Sequence, residues 1–191
     1  MKTIRIKDLM ISLSDYATVR QDATLAQVIA ELERVQSRFE IGRYPHRAVL
    51  VLNDQGDVVG KVGQIDILRA LEPKYDQIAH PSARFYSGFS HQFMRSLLKT
   101  YQLLQKSMED ICRKAYQRRV NMFMVTPTES EFVDENATLG EAIHQLVMGH
   151  PQSALVLRHK EIVGILRLTD VFEAISNMIK KCPLSDVRSE S

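Results

Sequence analysis

From residue 22 onward the apolar positions fall first at helical spacing and then in short β-branched blocks. In "LAQVIAEL" (25–32) they lie three and four apart, the period of one helix face, and Thr24 stands where that helix should start. "AVLVL" (48–52) and "VVGKV" (58–62) read as strands, and Asn53-Asp54-Gln55-Gly56 between them makes the pair a hairpin. "IDILRALE" then returns to helical spacing. With a short extended lead-in through Met10, the order is β-α-β-β-α over roughly 60 residues.

The same order recurs further along. Thr138 precedes the helical "LGEAIHQLV", and "ALVLR" and "IVGIL" flank a turn at His159-Lys160. Val59-Gly60, Asp66 and Ala70 align with Val163-Gly164, Asp170 and Ala174 at an offset of 104; Met10 and "DATLAQVI" align with Met124 and "NATLGEAI" at 114. The offset shrinks because the first copy has the longer middle, "RVQSRFEIGRYP", and the fuller turn, a tolerated kind of variation between repeats. A unit this small buries too little apolar surface to be secure alone, so two copies are expected to pack together.

Between the copies Phe85, Phe89, Phe93, Leu97, Tyr101, Leu104, Met108, Ile111 and Ala115 draw one stripe at spacings of four and three. From Ser82 to Arg119 only Gly88 interrupts, which predicts a helix of about 30 residues, about 45 Å long. The boundaries expected are 1–73 for the first repeat, 74–119 for a helical insertion, 120–180 for the second repeat and 181–191 for a tail.

The doubled pattern resembles a pair of CBS domains, the arrangement called a Bateman module. "IVGILRLTDVFEAI" carries the likeness most strongly, and "DVVGKVGQIDILRAL" with "VLVLNDQG" before it nearly as well. The resemblance implies an α+β fold of two repeats packed about a pseudo-twofold axis, with a long inserted helix. It also implies clefts for an adenosine-containing ligand: AMP, ADP, ATP or S-adenosylmethionine. It further implies that no cofactor is required and no chemistry is done, since such modules sense a ligand and regulate a partner protein.

In the family motif, Gly–apolar–apolar–Thr/Ser–x–x–Asp, the hydroxyl touches phosphate and the carboxylate takes the ribose hydroxyls. Asp66 and Asp170 keep the acid, while Gly63 and Arg167 stand at the hydroxyl positions. The candidate ligand-binding residues are therefore Gly63, Gln64, Ile65 and Asp66 in one corner and Arg167, Leu168, Thr169 and Asp170 in the other. His46 and Ser153, before the central strands, and Ile11, Val125 and Thr126, after the lead-in methionines, complete the set.

Each assignment has a structural counterpart. An acid in a helix's first turn interacts with exposed N–H groups whether or not ribose is bound. Arg167 can take a phosphate bidentately or pair with an acid. Gly63 can leave room for a ligand or start a helix.

Charge and composition narrow the picture further. The net charge is +2, but residues 82–121 carry +6 and the remainder −4, which marks the insertion as an element with its own surface. The basic "RKAYQRRV" admits a nucleic-acid reading, disfavoured because its helix also carries an apolar stripe that needs burial. Dimerisation or partner docking through that stripe, giving a homodimer, is the expectation; packing on its own chain is the alternative. A ligand-free structural module acting through the central helix is the competing function.

Cys112 and Cys182 lack the spacing of a zinc site or disulfide framework, the histidines have no ligand spacing, and no GxSxG, GxxxxGK[ST], HExxH or GxGxxG occurs. The chain is expected to be non-enzymatic, free of metal and cytoplasmic. "MKTIRIKDLM" does not read as a signal peptide, and no run approaches the roughly 18 apolar residues of a membrane span.

Overall fold

The computed structural model describes residues 4–38, 46–78, 90–103, 105, 107–149 and 152–182. The fold is mixed α+β and divides into two compact units. One holds the described residues of 4–16 and 127–182, the other those of 17–38 and 46–126.

The unit carrying the first repeat has β2 (Thr18–Arg20), α1 (Leu25–Arg38), β3 (Ala48–Leu52), β4 (Val58–Gly63) and α2 (Gln64–Leu71). The unit carrying the second repeat has β5 (Phe132–Asp134), α6 (Leu139–Gly149), β6 (Ser153–Arg158), β7 (Glu161–Arg167) and α7 (Leu168–Lys180). In each, the first strand runs parallel to the second and the hairpin partner antiparallel: β2-β3-β4 and β5-β6-β7. Both first helices start with a reciprocal capping box, which satisfies two backbone donors at once. Thr24 Oγ1 accepts from Gln27 N at 3.3 Å while Thr24 N donates to Gln27 Oε1 at 2.8 Å. Thr138 and Glu141 repeat the exchange at 3.3 and 2.6 Å.

The lead-in of each repeat is built onto the other repeat's sheet, within one compact unit. β1 (Ile11–Ser12), ahead of the first repeat, pairs antiparallel with β7, Ile11 opposite Ile165. Val125, ahead of the second, exchanges two 2.9 Å hydrogen bonds with Lys61 of β4. The pairs correspond under the sequence repeat, as do Ile6 N to Ala137 O at 3.0 Å and Val120 N to Ala23 O at 2.8 Å. This exchange accounts for the glycine of each "VG". A Cβ on Gly164 would meet the Ile11 carbonyl oxygen, and one on Gly60 the Met124 side chain. The compact units are thus not the sequence repeats, because one takes in β1 and the other the bridge at Val125 from the opposite repeat's lead-in.

In the unit of the second repeat, Ile6, Val133, Leu139, Ala142, Leu146, Val156, Leu166 and Val171 form one buried cluster. The lead-in residue Ile6 is part of it, so the borrowed segment supplies core as well as hydrogen bonds. At the rim, Arg158 grips Glu135 with two bonds of 2.7 and 2.8 Å and holds that carboxyl below the usual glutamate range. Its contribution is present at neutral pH and is lost as the pH falls through the lowered value. The two-residue turn His159-Lys160 has φ of 48° and 74°, the left-handed pair that a type I′ hairpin needs.

The single inserted helix is not what forms. The insertion has two ten-residue helices, α4 (His91–Thr100) and α5 (Met108–Gln117), after a short α3 (Tyr75–Ile78). Gln102 takes φ 49°, Leu103 N reaches Leu98 O at 3.1 Å and Gln102 N reaches Lys99 O at 3.3 Å. These two bonds end α4 as a Schellman motif. Leu103 is then buried, Lys74 Nζ donates to Tyr101 O at 2.7 Å, and Ser107 caps α5 through Asp110 N at 3.3 Å. Burying Leu103 outweighs continuing the helix. Phe85, Phe89 and Leu104 of the stripe lie outside the described residues.

The cations of "RKAYQRRV" are engaged within their own unit. Lys114 Nζ and Arg118 Nη1 donate to Leu71 O and Ala70 O at 3.2 and 3.3 Å, capping the end of α2. Arg119 donates to Asp22 O at 2.7 Å, and Arg113 pairs with Asp110 at 3.0 Å.

Candidate functional site

Each closing helix begins at a corner where a strand ends and an acid follows three residues on. At the first, β4 ends in Gly63, which is the N-cap of α2. Gly63 N donates to Asp66 Oδ2 at 2.9 Å, and Gln64 N to Arg47 O at 3.1 Å. The other oxygen, Oδ1, meets only Arg69 among the described residues, at 3.8 Å and with that arginine side chain more than half exposed. Such a pair is weak. Gly63 contributes no side chain, and a Cβ there would touch nothing nearer than 3.3 Å. The corner is open.

The second corner has the same backbone and different side-chain chemistry. Arg167 ends β7 and caps α7, Arg167 N donates to Asp170 Oδ2 at 3.2 Å, and Leu168 N donates to Gln152 O at 3.0 Å. Here the guanidinium folds back on the acid: Nε donates to Asp170 Oδ2 at 2.8 Å and Nη2 to Oδ1. Arg167 is 7% exposed, so this is a bidentate, largely desolvated ion pair. Beside it lies a cavity of about 330 Å³ lined by Asp8, Met10, Ile11, Arg167, Asp170, Glu173 and Asn177.

The sequence-derived candidates divide between the corners. Gly63, Gln64, Ile65, Asp66 and His46 belong to the unit of the first repeat, and so do Val125 and Thr126, carried in by the exchanged lead-in. Gln64, Ile65, Val125 and Thr126 are exposed; His46 is wholly buried, its carbonyl accepting from Gln36 Nε2 at 2.9 Å. Arg167, Leu168, Thr169, Asp170 and Ser153 belong to the other unit, where Ser153 lies opposite Arg167 in the β6–β7 register. Ile11 joins them and lines their cavity. Sequence reasoning missed Asp8, Met10, Glu173 and Asn177. It allowed Arg167 to pair with an acid without naming Asp170, whose signal was the three-residue spacing of N-cap and acid.

Paired β-α-β-β-α units with an acid in the first turn of each closing helix define a tandem CBS-type module. Residues 6–73 and 119–177 match the family described as "CBS domain", and the chain belongs to that family. No curated protein matches it. Among solved structures, CBSX2 in complex with AMP is 18% identical with a TM-score of 0.57, over 91% of this chain and 97% of that one. The CBS domain of a CBS domain-containing membrane protein from Sphaerobacter thermophilus is 18% identical, with a TM-score of 0.59 over 90% and 88%. The CBS domain of a bacterial CNNM/CorC family Mg2+ transporter, in complex with ATP, is 17% identical, with a TM-score of 0.56 over 92% and 89%.

No helix among the described residues is long and apolar enough to cross a membrane. The described residues hold no group of three or more His, Cys, Asp or Glu side chains that could bind a metal ion.

Proposed function

We propose that this chain is a non-catalytic regulatory module that binds an adenosine-containing nucleotide at an acid-bearing corner and signals its occupancy to a partner protein. The observation that carries the reading is Asp66. One of its oxygens is spent on the helix N-terminus, the other faces only a weak, half-exposed arginine among the described residues, and the residue three before it, Gly63, brings no side chain to compete. A carboxylate so placed can accept two vicinal hydroxyls, as acids that hold ribose do. AMP in one neighbour and ATP in another support the ligand class. For the ligand to act as a signal it must bind two arrangements of the module with different affinity.

Calorimetry and thermal shift with AMP, ATP and S-adenosylmethionine test the reading. A ligand at 100 times its Kd adds about 2.7 kcal/mol of stability and raises the melting temperature. If none of the three binds at millimolar concentration, the reading fails.

A second reading, association through the insertion, is favoured by α4. No residue of α4 is buried, and Phe93, Met94 and Leu98 are 44%, 49% and 44% exposed on one side of it. A partly exposed apolar face of this kind supports an interaction surface. A homodimer is the expected form in sedimentation, and Phe93→Ser with Leu98→Ser should lower the dimer fraction without changing the melting of each unit. A monomer at micromolar concentration removes this reading.

A further inference from the structure

The two corners differ in one respect that bears on how many ligands the chain takes. Asp66 and Asp170 sit at equivalent places, but only Asp170 has both oxygens claimed by a guanidinium. A ligand's ribose hydroxyls can reach Asp170 only by displacing that guanidinium from a nearly buried pair. Two neutral hydroxyl donors replacing a charge-assisted bidentate contact are a poor exchange in a desolvated site.

A ligand phosphate offers no easy compensation. Of the charged residues lining the cavity, Asp8 and Glu173 are exposed acids, and Arg167 is the one cation among the described lining. An anion drawn to that corner would have to take Arg167 away from Asp170 while facing both acids. At the first corner Gly63 has no side chain, and among the described residues Asp66 Oδ1 meets only the exposed Arg69, at 3.8 Å.

We propose that Arg167 locks the second corner, so that the resting chain takes a single adenosine-type ligand, at Asp66. Arg167 does for Asp170 what a bound sugar would otherwise do. This rests on the ligand reading above and assigns the repeats different work: the first holds the ligand, and the second is closed by its own side chain. The lock is local, because the donor and acceptor lie three residues apart around one helix start.

The test is calorimetric stoichiometry with AMP on the full chain. The wild type should saturate at about one ligand per chain, Asp66→Asn should weaken binding at least about a hundredfold, and Arg167→Ser should raise the stoichiometry to about two. Serine restores a hydroxyl at the motif position and frees Asp170, so the change is a gain that misfolding cannot imitate. Asp66→Asn decides the question even if Arg167→Ser fails to fold, because binding that survives it would have to come from the Asp170 corner. The proposal is overturned if the wild type takes two ligands, if Arg167→Ser stays at one, or if Asp66→Asn binds as the wild type does. Absence of binding by both wild type and Arg167→Ser would instead overturn the ligand reading itself, and this inference with it.

Discussion

Replacing Gly164 by alanine should destabilise its unit by about 3 kcal/mol, against about 1 kcal/mol for the repeat-related Gly60→Ala. Neither glycine has a positive φ, so alanine meets no backbone penalty at either place and the whole effect is one of space. On Gly164 the new methyl would run into the backbone carbonyl oxygen of Ile11, with Met10 Sδ at 3.1 Å closing the other side. Ile11 is hydrogen-bonded into the sheet opposite Ile165 and cannot withdraw without unpairing β1. On Gly60 the first atoms met are Sδ and Cγ of Met124, at 2.5 and 2.9 Å, and an unbranched thioether can swing aside. Urea unfolding of the two variants checks this. Equal midpoints would mean that the lead-in strand is not held against β7.

The second large effect separates the two acids. Asp170→Ala should cost about 3 kcal/mol, because it removes the carboxylate that balances the buried Arg167 charge. Asp66→Ala should cost about 1 kcal/mol, the value of a lost first-turn cap, since Arg69 is exposed enough to be solvated by water. Adding Arg167→Met to Asp170→Ala should return most of the loss, as replacing both partners of a buried pair by apolar groups generally does. The double-mutant cycle measured by denaturation reads the coupling directly, and a coupling near zero would show that the pair is not formed in solution.

Much of this architecture was legible in the residues. Thr24 with Gln27 and Thr138 with Glu141 are local capping patterns, and both start helices where the spacing placed them. The hairpins followed from β-branched runs and turn residues, and the doubled order led to the family that the profile match shows. The central helix was misread because its apolar spacing continues through Tyr101. Gln102 in a left-handed conformation is an inconspicuous stop where glycine would have been a plain one, and the Ser107-x-x-Asp110 restart went unweighed. The "RKAYQRRV" cluster admitted a nucleic-acid reading, because no sequence pattern reveals that Lys114 and Arg118 reach the carbonyls at the end of α2.

By itself the sequence determined the elements and their repetition: short-range periodicity, capping and turn chemistry act over a few residues and are written in the residues that carry them. It also placed an acid in the first turn of both closing helices. Only the tertiary structure decided which lead-in meets which sheet, why the two glycines must be glycines, and that one acid is held by Arg167 while the other has only the exposed Arg69 beside it. Those depend on contacts between residues far apart in the chain, or on which of several partners a flexible side chain takes. Spacing alone does not rank such choices; burial and geometry do.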